Sequence, residues 1–215
     1  MIIHRDIEQG TPAWLAIRLG LPTASCFDKI ITPAKGDMSK SARGYAQQLV
    51  AETLMGEPIE DDIGNLAWVA RGKLLEPQAT QQYSFTTDVE LETVGFITTD
   101  CGRIGCSPDR LLVGQNGCLE IKVPAPKTHI AYLTDGPGLD YKCQLQGLLG
   151  VGEFEFCDFY SFHPQLPPAL IRVQRDEPYI AKMRSALAEF LDMRDAMLVQ
   201  ARAAGFFEAT MKLAA

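Results

Sequence analysis

The sequence predicts an α/β fold in which a mixed β-sheet is flanked by α-helices. Three observations carry that expectation. Helical periodicity dominates up to residue 82, and a two-residue alternation replaces it from residue 88. A Gly114-Gln115-Asn116-Gly117 turn joins two alternating segments as a hairpin. Residues 177–204 then close the chain as one long amphipathic helix.

The elements follow in order. Thr11-Pro12 is a helix entry, with Trp14 and Ile17 sharing one face behind it. Gly20 and Pro22 break that helix, and Thr23 or Ser25 is placed to cap a second. Residues 40–55 read as an amphipathic helix ending at Gly56, and 65–82 as another with Pro77 as a kink or boundary. Residues 88–98, 103–113 and 118–123 read as three strands of a meander. A helix over 140–150, an aromatic-rich strand over 154–162 and a short strand over 169–174 lead into the final helix.

The 215 residues suit one domain, expected to run over 1–215. At 47% hydrophobic and 22% charged, the composition is that of an ordinary globular protein. No apolar run is long enough for a transmembrane span, and the first ten residues lack a signal-like core, so a cytoplasmic location is expected. A net charge of −7 argues against nonspecific coating of nucleic acid but leaves room for an enzyme with a locally basic groove. The six cysteines form no CxxC pair and read as small apolar residues. An iron–sulfur cluster on Cys101, Cys106 and Cys118 is the minor reading.

The chemistry sits in Ser107-Pro108-Asp109, followed ten residues later by Glu120-Ile121-Lys122. Alternation puts Glu120 and Lys122 on one face of a strand, and the hairpin brings Asp109 opposite them. Two adjacent carboxylates repel unless a cation lies between them. Hard oxygen donors of this kind suit Mg²⁺ or Mn²⁺, with the Ile121 carbonyl as a further ligand. Lys122 is placed to orient a water or take its proton, which together describes phosphodiester hydrolysis. No phosphate-cradling GxxxxGK[ST] occurs, so ATP is not expected.

Several segments in this order resemble the lambda exonuclease and YqaJ-like viral recombinase family of PD-(D/E)xK nucleases. They are Trp14-x3-Arg18-x4-Thr23-Ala24-Ser25, RGKLLEP over 71–77, GCSPDRL over 105–111, EIKVP over 120–124, and QLQ over 144–146. The resemblance implies a restriction-endonuclease-like core and a Mg²⁺-dependent 5′→3′ exonuclease acting on double-stranded DNA. It implies a homotrimer around the DNA that leaves 3′ tails for a single-strand annealing protein or recombinase. Carried over residue by residue, it makes Asp109, Glu120 and the Ile121 carbonyl metal ligands and Lys122 the catalytic lysine. It assigns Arg18, Ser25 and Ser107 to the 5′-phosphate, with Trp14 nearby, Glu76 as an acid supporting the metal site, and Gln144 and Gln146 close to it. Arg110 departs from the glycine common after this PD, and either points away or contacts DNA. Lys29, Lys35, Lys40, Arg43 and Lys127 are candidates for a basic DNA path, and His129 is expected to be structural or on the surface. Rival readings are a PD-(D/E)xK endonuclease of other specificity and a non-catalytic DNA-end-binding adaptor.

Overall fold

The computed structural model describes residues 1–59 and 67–205. The helical half comprises β1 (Ile2–His4), α1 (Pro12–Arg18), a 3-10 turn (Ala24–Cys26), α2 (Phe27–Ile30), α3 (Ala42–Met55) and α4 (Ala67–Thr87). The sheet half follows with β2 (Leu91–Glu92), β3 (Phe96–Thr98), β4 (Gly105–Cys106), β5 (Arg110–Leu112) and β6 (Gly117–Lys122). Then come α5 (Pro126–Asp135), α6 (Lys142–Val151), β7 (Phe156–Ser161), β8 (Ala169–Gln174) and α7 (Glu177–Ala203). The strands form two sheets, β1-β3-β4 and β2-β5-β6-β7-β8. Only β6 and β7 pair in parallel among the named strands, and α5 and α6 make the crossover between them.

The central strand β6 is buried over Gly117–Ile121 because both of its faces are covered. Cys118 packs into the larger core with Cys157, Phe159, α6 and α7. Leu119 and Ile121 pack the other way, against Ala79 and Tyr83 of α4. Glu120 and Lys122 therefore lie on the face of the larger core and Ile121 on the opposite one, as alternation requires. Gly147 brings α6 tight against the Ala24–Ile30 segment, since a Cβ there would sit 2.7 Å from the Phe27 ring.

The expected strands over 88–98 and 103–113 each split between the two sheets. The pairs Leu91↔Leu112 and Ile97↔Cys106 keep one register, so these residues form a single hairpin, interrupted near 93–95 and 107–109. Pro108 has no N–H to donate and cannot continue the ladder. Opposite it lies Gly95, whose Cβ would fall 1.9 Å from the Ile7 carbonyl oxygen. Gln9 fills the gap, its amide donating to the carbonyls of Val94 (2.8 Å) and Pro108 (2.9 Å).

Other expectations shift less. Thr11 caps α1, and Gly56 ends α3 with φ 74°. α4 continues past Pro77 to Thr87, so Pro77 is not a boundary, and the expected start at 65–66 lies outside the described residues. Neither Thr23 nor Ser25 caps the turn that follows, because their hydroxyls bond elsewhere. α5 and β1 were not expected; α5 is entered through Pro126 at its first turn.

Asp158 on β7 is buried and accepts from Tyr83 Oη (2.7 Å) and from both arms of Arg172 (2.8 Å each). Removing the half-exposed arginine strands the buried carboxylate, so Arg172→Ala is expected to cost about 3 kcal/mol. Asp158→Asn, which keeps an acceptor for Tyr83, costs less. Urea unfolding of both variants checks this order.

Candidate active site

Asp109, Glu120 and Lys122 converge at the interrupted end of β5. The Asp109 N–H donates to the Leu119 carbonyl (3.1 Å) although Arg110 is the register partner of Leu119, so two residues face one as in a bulge. Past that point β6 has no partner on this edge. The Ile121 N–H donates to Asp109 Oδ2 (2.5 Å) in place of a ladder bond. The Ile121 carbonyl points to the same edge as its N–H, toward the same site.

Glu120 is buried, and its two oxygens are treated differently. Oε1 accepts from Lys122 Nζ (2.6 Å) and from Gln144 Nε2 (2.6 Å). Oε2 is buried with no hydrogen-bond partner. An orphaned carboxylate oxygen is costly unless something cationic completes it. Burial, and then the Glu120 carboxylate, push the Asp109 carboxyl well above the usual range, with Lys122 and the Ile121 N–H opposing. Burial pulls the Lys122 ammonium down, but the Glu120 and Asp109 carboxylates outweigh it and hold it above its ordinary value. The donor set of Asp109, Glu120 Oε2 and the Ile121 carbonyl is all hard oxygen and short of positive charge, and Ile121 lines a cleft beside it, which fits a divalent cation. That cleft, of about 500 Å³, is lined by Glu76, Lys122, Thr128, Tyr132 and Tyr141 among others. The Tyr141 ring centroid lies 5.0 Å from Lys122 Nζ.

A second cluster adjoins the first through Ser107, two residues from Asp109. Arg18 Nη1 donates to Ser107 Oγ (3.2 Å) and Nη2 to Thr23 Oγ1 (3.4 Å). Thr23 and Ser25 share a hydroxyl contact of 3.3 Å. The guanidinium stacks on the Trp14 ring at 4.0 Å, and Trp14 Nε1 donates to Gly95 O (3.0 Å) and Ser107 Oγ (3.2 Å). With both lone pairs of Ser107 engaged, its O–H remains to donate outward. Burial lowers the Arg18 pKa. A half-buried guanidinium with hydroxyl neighbours, and no carboxylate bonded to it among the described residues, is suited to a phosphate.

Most of the candidate residues come together, and some do not. Gln144 reaches Glu120, whereas Gln146 turns away from the site. It donates to Gln174 O (2.9 Å) and accepts from the Asp176 N–H (2.8 Å), fastening α6 to the β8–α7 junction. Two residues apart on a helix they face different ways. Glu76 lines the cleft on the α4 side and pairs with Arg110 at 3.1 Å. His129 is fully buried between Ser161 Oγ (2.8 Å) and Pro167 O (2.9 Å), a structural role. Lys35, Lys40, Arg43 and Lys127 are exposed, and none lines the cleft beside Lys122. Lys29 lies over Tyr45 at 5.2 Å. Sequence reasoning missed Tyr141 and Gln9. Tyr141 sits one helical turn before Gln144, which is a usable signal; nothing in the sequence marks Gln9.

The fold is that of PD-(D/E)xK-type exonucleases, and the similarities that follow support a nuclease. The sequence matches the YqaJ-like viral recombinase domain over residues 13–155, and the chain belongs to that family. Among solved structures it is similar to an alkaline exonuclease (LHK-Exo) from Laribacter hongkongensis, with 30% identity and a TM-score of 0.79. That match covers 91% of this chain and 99% of the other. The same exonuclease in complex with dAMP matches at 31% identity over the same shares, again with a TM-score of 0.79. A phage-related exonuclease from Haemophilus somnus 129PT shares the fold at 17% identity and a TM-score of 0.66, covering 84% of this chain and 96% of the other. No curated protein matches the sequence. No helix among the described residues is long and apolar enough to cross a membrane.

The burial of Asp109, and then its closeness to the Glu120 carboxylate, has a cost in the absence of a cation. A carboxyl raised on folding costs nothing below about pH 4, where folded and unfolded forms both keep the proton. The cost grows as pH climbs toward the folded value. Asp109→Asn is therefore expected to stabilise the chelator-treated protein at pH 8, with the gain fading toward pH 4. Urea titrations in EDTA at several pH values measure it.

Proposed function

We propose that this chain is a Mg²⁺-dependent 5′→3′ exonuclease that degrades one strand of duplex DNA from a 5′-phosphorylated end. The observation that carries the reading is the orphaned Glu120 Oε2, on the carboxylate that Lys122 bonds through Oε1, with a guanidinium-and-hydroxyl cluster at Ser107, two residues before Asp109. The dAMP seen with the Laribacter exonuclease accords with a nucleotide product.

In this reading Asp109, Glu120 and the Ile121 carbonyl hold the cation. When bound, it supplies Lewis-acid polarisation of the scissile phosphate and a water of lowered pKa. Arg18, Ser25 and Ser107 bind the terminal 5′-phosphate, with Thr23 holding the fork of Arg18. Trp14 is the wall of that pocket: its ring supports Arg18 and its indole N–H orients Ser107. Lys122 stays an ammonium, donates to the phosphate oxygen that gains charge, and is steered by Glu120 and the Tyr141 ring. Gln144 shares Glu120 Oε1 with Lys122 and so leaves Oε2 for the cation. Mn²⁺ substitutes, and ATP is not used. The protein assembles as a homotrimer on duplex DNA in the cytoplasm, and its 3′ single-stranded product passes to an annealing protein or recombinase.

The test is digestion of a linear duplex with one 5′-phosphate and one 5′-hydroxyl end in Mg²⁺. Nucleotides released mainly from the phosphorylated strand support the reading, while equal release from both ends, or nicking of a closed circle, contradicts it. Arg18→Ala is expected to lower the rate at phosphorylated ends by about 100-fold, in line with loss of a charge-assisted pair of about 2–3 kcal/mol, and to leave 5′-hydroxyl ends unchanged. Lys122→Ala is expected to abolish cleavage and to retain DNA binding in Ca²⁺.

A further inference from the structure

Arg110 follows the metal-site aspartate and is not used in the account above. It is the first residue of β5 and points to the α4 side of the sheet, where its partner strand presents Leu119. Its Nη1 makes two contacts, one to Glu76 Oε1 at 3.1 Å and one to the backbone carbonyl of Asp109. The guanidinium thus bridges α4 to the strand that carries the site. It is 19% exposed and Glu76 is 34% exposed, so the pair is only partly screened by water.

Three carboxylates, Asp109, Glu120 and Glu76, surround the edge where β5 breaks off. The Glu76 charge reaches Asp109, acting to raise its pKa. Lys122 bonds Glu120 on one side, and Arg110 bonds Glu76 on the other. Without Arg110, Glu76 would be a third, unpaired carboxylate at the mouth of the cation site.

The geometry points to Arg110 as a built-in counter-cation that competes with the divalent ion for Glu76 and so sets the affinity of the site. It is a positioning residue that acts through Glu76. This inference rests on the reading of Asp109 and Glu120 as cation ligands. With Arg110 in place, Glu76 is neutralised and held back, and the ion is held chiefly by Asp109, Glu120 and the Ile121 carbonyl. A site tempered in this way releases its ion more readily than one with three free acids.

The test is calorimetric titration of Mn²⁺ into the full chain without DNA, using wild type, Arg110→Ala, Arg110→Gln, Glu76→Gln and the Arg110→Ala/Glu76→Gln pair. Thermal melts establish that each variant is folded, and Arg110→Gln, which keeps the length and polarity of the side chain, stands in if the alanine variant is not. Removing the arginine is expected to tighten Mn²⁺ binding about 3- to 10-fold, the scale of a single charge interaction near a protein surface. In the Glu76→Gln background the same removal should change affinity by less than about 2-fold, because the competition has lost its object. Unchanged or weaker binding in Arg110→Ala and Arg110→Gln overturns the inference. So does a gain that persists in full beside Glu76→Gln, since Arg110 would then act on the whole site rather than through Glu76. Failure of the underlying cation reading looks different: wild type itself takes up no Mn²⁺, or Asp109→Asn binds it as well as wild type.

Discussion

The interruption of the long hairpin at Pro108 is the constraint on which the site depends. A proline cannot donate into a ladder, so the pairing that runs through β3 and β4 stops there and resumes at β5. The stop releases Ser107 on one side and Asp109 on the other, and it leaves the Ile121 amide and carbonyl without a strand partner. Gln9 and Gly95 make the break tolerable, one by supplying hydrogen bonds and the other by letting the Ile7 carbonyl approach. An unbroken hairpin would pair these groups with each other and leave neither cluster of donors and acceptors.

Around that break the molecule carries an electrostatic imbalance. The buried part of the site holds two carboxylates against one ammonium, and one carboxylate oxygen has no partner at all. The structural ion pair at Asp158 is complete by contrast. Asp158 has every bond it needs from Tyr83 and Arg172, although it is just as deeply buried. Two other buried side-chain oxygens among the described residues also lack partners, Gln82 Oε1 and Tyr160 Oη, but both are neutral, and Glu120 Oε2 is the one that belongs to a carboxylate. Preorganised, unsatisfied groups of this kind are the usual mark of a place where a ligand completes the structure.

Much of this was legible in the sequence, for identifiable reasons. Side-chain alternation alone puts Glu120 and Lys122 on one face, and the Gly114–Gly117 turn alone brings Asp109 near them. Ser107 lies far along the chain from Arg18 and Ser25, and only the family resemblance linked the three before the structure was known. The split of residues 88–98 and 103–113 between two sheets was not legible, because both halves keep the same alternation and register. The parting of Gln144 from Gln146 follows from their spacing, since residues two apart on a helix do not share a face, but which of them reaches Glu120 depends on what α6 packs against. Residues 126–135 escaped notice as a helix because their apolar positions are few. The hydroxyls of Thr23 and Ser25 look like caps in sequence, yet the guanidinium of Arg18 claims Thr23 instead.

The central claim is that the break at Pro108 builds a cation site from Asp109, Glu120 and the Ile121 carbonyl. Anomalous diffraction from crystals soaked in Mn²⁺ tests it most directly. The account predicts a peak bonded to Glu120 Oε2, an Asp109 carboxylate oxygen and the Ile121 carbonyl, lost in Asp109→Asn crystals. A peak elsewhere, or a well-ordered site that takes up no Mn²⁺, would contradict it.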